Sequence, residues 1–233
     1  MLDNKSFIAI VPARGGSKRL PGKNLLLLGG KPLLQWTLEA ASASKYLDEI
    51  IVSSDDPEIL SVATENGVSA QLRPNELSSD TAGTVDTVLY ALSKYAEDFD
   101  YVVLLQPTSP LRNVDDIDFS IEKIIERAVA SVTTVVEAEH NPLWTIRLPR
   151  NHSLAELADA AAVNKRSQDL PKFFRLNGAV YVVEVSALSK HKRFIQSDGI
   201  AQIMPAKRSI DIDTEFDFRV AEAMLGYQLS EGC

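Results

Sequence analysis

Residues 8–24 read IAIVPARGGSKRLPGKN, an apolar strand pattern that breaks into a glycine-rich basic loop. The loop contains three glycines, two arginines and two lysines. Glycine lets backbone N–H groups approach phosphate oxygens closely, and the cations offset the phosphate charge. The segment therefore predicts a nucleoside triphosphate site. The alternative is a basic surface loop that follows an edge strand.

Two common phosphate-binding motifs do not fit this loop. A P-loop requires G-x-x-x-x-G-K-[ST], but Gly22 and Lys23 precede Asn24, and Ser17 stands five residues before Gly22. The dinucleotide motif G-x-G-x-x-G is absent because the glycines of this loop are at positions 15, 16 and 22. The loop thus indicates a phosphate site of another class.

Composition narrows the class of protein. The chain has 233 residues, 45% of them hydrophobic, which suffices for one large α/β domain. Its net charge of −8 argues against nucleic acid or an anionic membrane as a partner. The single cysteine, Cys233, excludes an intrachain disulfide, and the N-terminus lacks the pattern of a signal peptide. These features predict a cytoplasmic location.

Strand and helix patterns alternate along the first part of the chain. Continuous apolar runs such as YVVLL are typical of parallel strands covered on both faces. Strands are predicted at 7–11, 49–53, 69–72, 101–105 and 131–136, and helices at 32–43, 57–66, 85–96 and 114–127. Asp56, Thr84 and Asn113 are candidate N-caps. The pattern predicts a three-layer, Rossmann-like α/β fold with ligands at the carboxyl ends of the strands.

The alternation stops after residue 136. We interpret residues 137–176 as an excursion from a single domain that spans residues 1–233, acting as a lid or an oligomerisation arm. The core is expected to resume with a strand at 179–183. Residues 209–224, SIDIDTEFDFRVAEAM, then predict a short strand followed by a final helix.

Two further segments with functional side chains follow predicted strands. QPTSPLR, residues 106–112, places hydroxyls, an amide and the Arg112 guanidinium at the carboxyl edge of a central strand. LRPNELSSDTAGT, residues 72–84, ends at a predicted helix N-terminus. The alternatives are a proline-shaped turn for the first segment and a plain surface loop for the second.

Two segments in the last third of the chain carry side chains that could bind a cation or an anion. On a strand, Asp211 and Asp213 would share one face about 7 Å apart, which suits one hard divalent cation. Arg175 and Asn177 precede a predicted strand, and the Arg175 guanidinium could bind a carboxylate or a phosphate. The alternatives are chance exposure on an edge strand for the aspartates and a structural ion pair for the arginine.

Taken together, ARGGSKRLPGKN, LRPNELSSDT, LLQPTSPLR, FRLNGAVYV and SIDIDTEFDF, in this order, resemble the acylneuraminate cytidylyltransferase family. The likeness spans nearly the whole chain. The related deoxy-manno-octulosonate cytidylyltransferases carry a first loop closer to ARYxSTRLPGKP and are the poorer match. The resemblance implies a transferase that activates a nine-carbon 2-keto sugar acid with CTP and Mg²⁺, works in the cytoplasm as a homodimer, and releases pyrophosphate.

The resemblance also implies residue roles. Catalysis would depend on Arg14, Lys23 and Asp211. The nucleotide would be bound by Ala13, Arg14, Lys18, Lys23, Asn24, Arg73 and Thr84. The sugar would be bound by Gln106, Thr108, Ser109, Arg175, Asn177, Tyr181 and Phe194, and the metal by Asp211 and Asp213.

The chain departs from the family at two places. Trp144 stands where some sialic-acid members have a basic residue, and Lys165 and Arg166 lie near Ser167, where such members have an arginine. The acceptor therefore stays open between N-acetylneuraminic acid and a legionaminic or pseudaminic relative. Two rival functions also remain: nucleotidyl transfer to a sugar 1-phosphate with another base, and nucleotide sensing without catalysis.

Overall fold

A computed structural model describes residues 1–79, 81–95, 99–158 and 160–231 of the chain. Cys233 and Ala96, at the end of one predicted helix, lie outside these residues. The strands are β1 (Phe7–Pro12), β2 (Leu27–Leu28), β3 (Lys31–Pro32), β4 (Glu49–Ser54), β5 (Ser69–Leu72), β6 (Tyr101–Leu105), β7 (Ser131–Glu137), β8 (Phe174–Glu184) and β9 (Ile200–Ile203). The helices are α1 (Leu33–Ser42), α2 (Pro57–Glu65), α3 (Thr84–Leu92), α4 (Val114–Arg127), α5 (Ala155–Ala158), α6 (Val185–His191) and α7 (Glu215–Glu231).

A seven-stranded sheet in the order β5-β4-β1-β6-β8-β7-β9 forms the centre of the molecule. Strand β8 runs antiparallel to β6 and β7, and the other neighbouring strands are parallel. Strands β2 and β3 pair separately as a small antiparallel ribbon. The predicted α/β fold with a mainly parallel sheet is confirmed.

Strand β1 explains the layering. Phe7, Ala9 and Val11 pack into the apolar cluster that contains α1, α2 and α4. Ile8 and Ile10 pack into the cluster on the other face, with α3 and α6. Because side chains alternate along a strand, a continuous apolar run buries both faces of the sheet at once. Helices therefore pack on both faces of the sheet, which gives three layers: helices, sheet and helices.

Helix caps test the local predictions. Asp56 accepts a hydrogen bond from the Glu58 N–H at the start of α2. Asn113 forms a capping box with Asp116 at the start of α4. The prediction for Thr84 is wrong, because α3 begins at Thr84 and Gly83 precedes it without a side-chain cap.

The second half of the sheet departs further from the prediction. Strand β8 begins at Phe174, so Arg175 and Asn177 lie inside it and do not precede it. The register with β7 passes from Thr133–Tyr181 to Val135–Leu176, which leaves extra residues of β8 in a bulge around Asn177. Arg175 and Asn177 interrupt the apolar pattern, so the start of the strand could not be recognised from the sequence.

The predicted strand around the two aspartates is also absent. Residues 209–213 belong to no strand, although the Ile212 N–H donates to the Thr108 carbonyl at 2.8 Å. Just before them, Arg208 forms two hydrogen bonds with the buried carboxylate of Asp116, at 2.8 and 2.9 Å. This ion pair fixes the approach to the aspartates against the start of α4.

Between β7 and β8 the chain forms only short helical segments over the described residues, including α5. The Trp144 indole donates to the Ala162 carbonyl at 2.9 Å and ties two parts of this excursion together. No helix in the described part of the chain has both the length and the apolar character needed to span a membrane. The single-domain division of the chain stays a prediction.

Candidate active site

A cavity of about 620 Å³ opens at the carboxyl ends of the parallel strands. Its walls come from the first loop, the segment before α3, the loop after β6 and the aspartate pair. Most of the predicted site residues line it: Arg14, Lys18, Lys23, Asn24, Arg73, Thr84, Gln106, Thr108, Asp211 and Asp213. Segments far apart in the sequence thus meet in one site.

Hydrogen bonds to main-chain carbonyls hold the first loop in shape. The Ala13 N–H donates to the Ser53 carbonyl at 3.0 Å, which extends the pairing of β1 with β4. The Asn24 side chain donates to the Arg14 carbonyl at 2.9 Å and closes the loop. A Cβ on Gly15 would lie 2.5 Å from a carboxylate oxygen of Asp56, so this position requires glycine.

Arg73 adds a second cation beside the first loop. Its side chain is buried, and its Nε donates to Ser78 Oγ at 2.8 Å. Burial lowers the pKa of the Arg73 guanidinium, the charge of Asp55 opposes this shift, and the nearby charge of Arg14 adds to it. Two like charges close together favour an anionic ligand between them.

The aspartate pair is asymmetric. Asp213 contacts two cations, with Lys23 Nζ 3.3 Å from its Oδ1 and Arg19 Nη2 2.9 Å from its Oδ2. Asp211 Oδ1 is buried without a hydrogen-bond partner. Burial raises the pKa of the Asp211 carboxyl, and the neighbouring Asp213 adds to the shift, whereas a hydrogen bond from Thr108 and the charge of Lys23 oppose it.

The same pair fits a divalent cation. An unpartnered, buried carboxylate oxygen next to a second carboxylate is suited to a hard cation. The described residues contain no group of three or more His, Cys, Asp or Glu side chains that could hold a metal. One or two carboxylates together with substrate phosphates are a common arrangement for Mg²⁺, so the site suits a cation that arrives with a nucleotide.

Gly178, in the β8 bulge, lies directly behind two residues of the cavity lining, and no sequence motif pointed to it. Its φ is +76°, and a Cβ there would lie 2.8 Å from Gln106 Oε1 and 3.7 Å from Asp211 Oδ2. A glycine that interrupts a strand pattern can mark a close approach of this kind. Gly178 therefore lets the backbone come close to both pocket side chains.

Arg112 differs from the prediction. Its guanidinium does not project at the sheet edge but is buried, and Nη1 donates to the carbonyls of Gln106 and Ala179 at 3.2 and 2.7 Å. Burial lowers the pKa of Arg112 to about 10. Arg112 therefore joins the end of β6 to the bulge of β8 behind the cavity lining.

The other predicted residues lie outside the lining of the cavity. Asn177 is buried, and its side chain bonds to Thr134 at 2.7 Å and to Ser209 at 3.0 Å, which links β7 and β8 to the segment before the aspartates. Ser109 is also buried, and its hydroxyl has no hydrogen-bond partner. Arg175 forms an ion pair with Glu139.

Tyr181 and Phe194 form an aromatic pair. The rings of Tyr181 and Phe194 are 5.7 Å apart between centroids. Burial raises the pKa of the Tyr181 hydroxyl, and the charge of Asp211 adds to the shift, so this side chain lies within electrostatic range of the cavity. The sugar-binding roles of these residues stay predictions.

A Rossmann-like α/β fold whose glycine-rich cationic loop and two carboxylates line one cavity suits an enzyme that acts on a nucleoside triphosphate. The chain belongs to the cytidylyltransferase family, whose model matches residues 8–212. The resemblance drawn from the sequence motifs is thereby confirmed.

Individual relatives agree with this assignment. The chain is 34% identical to CMP-N,N'-diacetyllegionaminic acid synthase of Legionella pneumophila over 94% of this chain and 96% of that protein. It is 37% identical to N-acylneuraminate cytidylyltransferase of Streptococcus agalactiae over 91% of this chain, which spans only 51% of that relative. A solved CMP:2-keto-3-deoxy-manno-octonic acid synthetase complexed with CTP has the same fold, with a TM-score of 0.74 at 18% identity over 96% of this chain and all of that one.

The close approach at Gly178 gives a first prediction. Gly178→Ala should reduce the free energy of unfolding by about 1–3 kcal/mol, because the alanine would have positive φ and crowd Gln106. Gly226→Ala, in α7 with no atom within 4 Å of the new Cβ, is the control and should be neutral or stabilising. Urea denaturation measures both variants, and equal stability of the two would contradict the close approach.

The buried carboxylate gives a second prediction. Because the pKa of Asp211 is raised in the folded state, its charge costs stability at neutral pH. Asp211→Asn should therefore raise the Tm of the nucleotide-free protein at pH 7. The gain should shrink as the pH falls towards about 3.9, the ordinary pKa of aspartate.

Asp213→Asn is the matched control for this experiment. It removes the ion pairs with Lys23 and Arg19 and should leave the Tm unchanged or lower it. Thermal unfolding of both variants across pH measures the difference, and a fall in Tm for Asp211→Asn at pH 7 would show that this carboxylate is not a cost to folding.

Proposed function

We propose that this protein transfers the cytidylyl group of CTP to a nine-carbon 2-keto sugar acid. The anomeric 2-hydroxyl oxygen would form a bond to the α-phosphorus, and the bond from that phosphorus to the bridging oxygen would break. Pyrophosphate leaves with the electron pair, and the hydroxyl proton is lost to a base. Support comes from membership of the cytidylyltransferase family and from the names of the legionaminic and neuraminic relatives.

One observation carries the proposal: the cations of the first loop and the two carboxylates line a single cavity. Arg14, Lys18 and Lys23 would bind the triphosphate and stabilise the charge that develops as pyrophosphate leaves. Lys23 is buried and already held by the Ile212 carbonyl at 2.6 Å, so its charge is positioned before the substrate arrives.

Cytidine would lie between the first loop and the start of α3. Asn24, Arg73 and Thr84, with the backbone at Ala13, would bind it. Asn24 and Ala13 are already engaged in main-chain hydrogen bonds, so this wall of the site is rigid. A rigid wall supports selection of the base by shape and by fixed hydrogen-bond positions.

Asp211 and Asp213 would hold Mg²⁺, and the unpartnered oxygen of Asp211 supports that role. When bound, the cation would offset negative charge on the phosphates. We also propose that Asp211 takes the proton of the attacking hydroxyl. Its place in the lining of the cavity supports this, because a base must lie within reach of the hydroxyl.

The acceptor would lie on the side of Gln106, Thr108 and Ser109. Arg175 and Asn177 would hold the sugar and nucleotide in register, and Tyr181 and Phe194 would border the pocket for the acyl group. We propose N-acetylneuraminic acid or a legionaminic or pseudaminic relative as the acceptor. These acids differ in a few substituents, each worth about 1–3 kcal/mol to a binding pocket.

Arg14→Ala tests the triphosphate role. Turnover of CTP with the accepted sugar should fall at least tenfold, about 1.4 kcal/mol of transition-state stabilisation. Arg127→Ala, which removes an exposed arginine paired with its neighbour Glu126, is the control and should keep wild-type kinetics. Pyrophosphate release measures both, and unaltered turnover in Arg14→Ala would mean that the phosphate loop is misassigned.

We further propose a cytoplasmic homodimer in which the excursion contacts the second copy. Apolar residues on and beside the excursion each expose between 41% and 57% of their surface: Leu143, Leu148, Leu154, Phe174 and Leu176. Exposed apolar side chains in one region support a covering partner.

Sedimentation velocity tests the assembly. The wild-type mass should be twice the 25.6 kDa of one chain, and the double change Leu148→Asp with Leu154→Asp should shift it towards a single chain. Leu27→Asp, an equally exposed leucine in the β2–β3 ribbon, is the control and should leave the mass unaltered. A single-chain mass for the wild type would reject the dimer.

A further inference from the structure

Arg175 is engaged by a carboxylate of its own chain. Its Nη2 lies 2.6 Å from Glu139 Oε1, and its Nε lies 3.1 Å from Glu139 Oε2. This is the two-point geometry with which a guanidinium binds any carboxylate. The remaining nitrogen, Nη1, donates to the Leu176 carbonyl at 3.4 Å. A second carboxylate could bind the Nε and Nη2 edge of the guanidinium only by displacing Glu139.

The stem of the excursion does not depend on this pair. The Ala138 N–H donates to the Phe173 carbonyl at 2.8 Å. Lys172 forms a separate ion pair with Glu137, also at 2.8 Å. The two strands are thus fastened next to Glu139 without it, and the Glu139 side chain is free to leave while the stem stays paired.

The pair is accessible to a ligand, and β8 connects it to the site aspartates: a Cβ on Gly178, three residues after Arg175, would lie 3.7 Å from Asp211 Oδ2. Asp211 contributes to the raised pKa of the Arg175 guanidinium, so the two groups are within electrostatic range. The side chains of Arg175 and Glu139 are 43% and 56% exposed. The pair holds the pKa of the Glu139 carboxyl down at about 2, but solvent reaches both side chains, so a substrate carboxylate that makes the same two contacts can displace Glu139.

We propose that Glu139 is an internal stand-in for the carboxylate of the acceptor sugar: it occupies Arg175 until the sugar acid displaces it. The inference rests on the proposed function, which makes Arg175 an acceptor contact, and it adds Glu139 as a residue that sets specificity. A sugar acid regains the lost ion pair when it displaces Glu139. A neutral sugar cannot, so Glu139 discriminates against ligands without a carboxylate.

Steady-state kinetics tests the exchange. Glu139→Gln removes the competing charge and should lower KM for the accepted sugar acid about two- to fivefold, the equivalent of a weak ion pair. The KM for CTP should stay near its wild-type value. Glu137→Gln, which breaks the neighbouring pair with Lys172 and does not touch Arg175, is the matched control and should keep the wild-type KM for both substrates.

The direction of the change in KM distinguishes two roles for Glu139: competing with the sugar for Arg175, or holding Arg175 in place for the sugar. If Glu139 merely holds Arg175 in place for the sugar, Glu139→Gln will raise KM for the acceptor. A raised or unaltered KM would therefore overturn the proposal.

A second measurement does not require turnover. Labelling of Arg175 by phenylglyoxal, followed by peptide mass spectrometry, reports how free the guanidinium is. Labelling should be several-fold faster in Glu139→Gln than in the wild type or Glu137→Gln, and N-acetylneuraminic acid should slow it. Equal labelling rates would reject Glu139 as the occupant, whereas the absence of turnover with every sugar acid would reject the proposed function instead.

Discussion

Ile212 holds both site aspartates in position through its backbone and its side chain. Its N–H donates to the Thr108 carbonyl at 2.8 Å, and its carbonyl accepts from Lys23 Nζ at 2.6 Å. Its side chain is buried in an apolar cluster with Leu28 and Phe218. One residue thus joins the loop after β6, the first loop and the start of α7, and the carboxylates on either side of it lie at the cavity.

The resulting site is electrostatically costly without substrate. Asp211 is buried with an unpartnered oxygen, and the nearby charge of Arg14 helps to lower the pKa of the buried Arg73. Packing elsewhere must offset these costs, as in other functional sites. A polyphosphate between the cations and a divalent cation between the carboxylates would relieve both. Substrate binding would therefore complete a structure that the chain holds in advance.

Much of the fold could be predicted because its signals are local. The apolar run of β1 and the caps at Asp56 and Asn113 each depend on a few neighbouring residues. Both aspartates line the cavity although no strand forms there. Most of the residues predicted to bind the nucleotide line it too.

The parts that escaped prediction depend on distant partners. The bulge that places Gly178 under Gln106 is a property of the β7–β8 register. Arg112 was expected at the sheet edge but is buried, because one of its acceptors is the Ala179 carbonyl within β8, 67 residues away in the sequence. Glu139 meets Arg175 across 36 residues, and no local pattern encodes that contact.

The most direct test is pyrophosphate release with CTP and Mg²⁺ against N-acetylneuraminic, legionaminic and pseudaminic acids in parallel. We expect release with at least one acid, with formation of the CMP-sugar, and the ranking of kcat/KM would name the acceptor. If folded protein that binds CTP releases no pyrophosphate with any of the three acids, the proposed transfer is contradicted. Turnover of UTP, GTP or dTTP with a sugar 1-phosphate would contradict it equally.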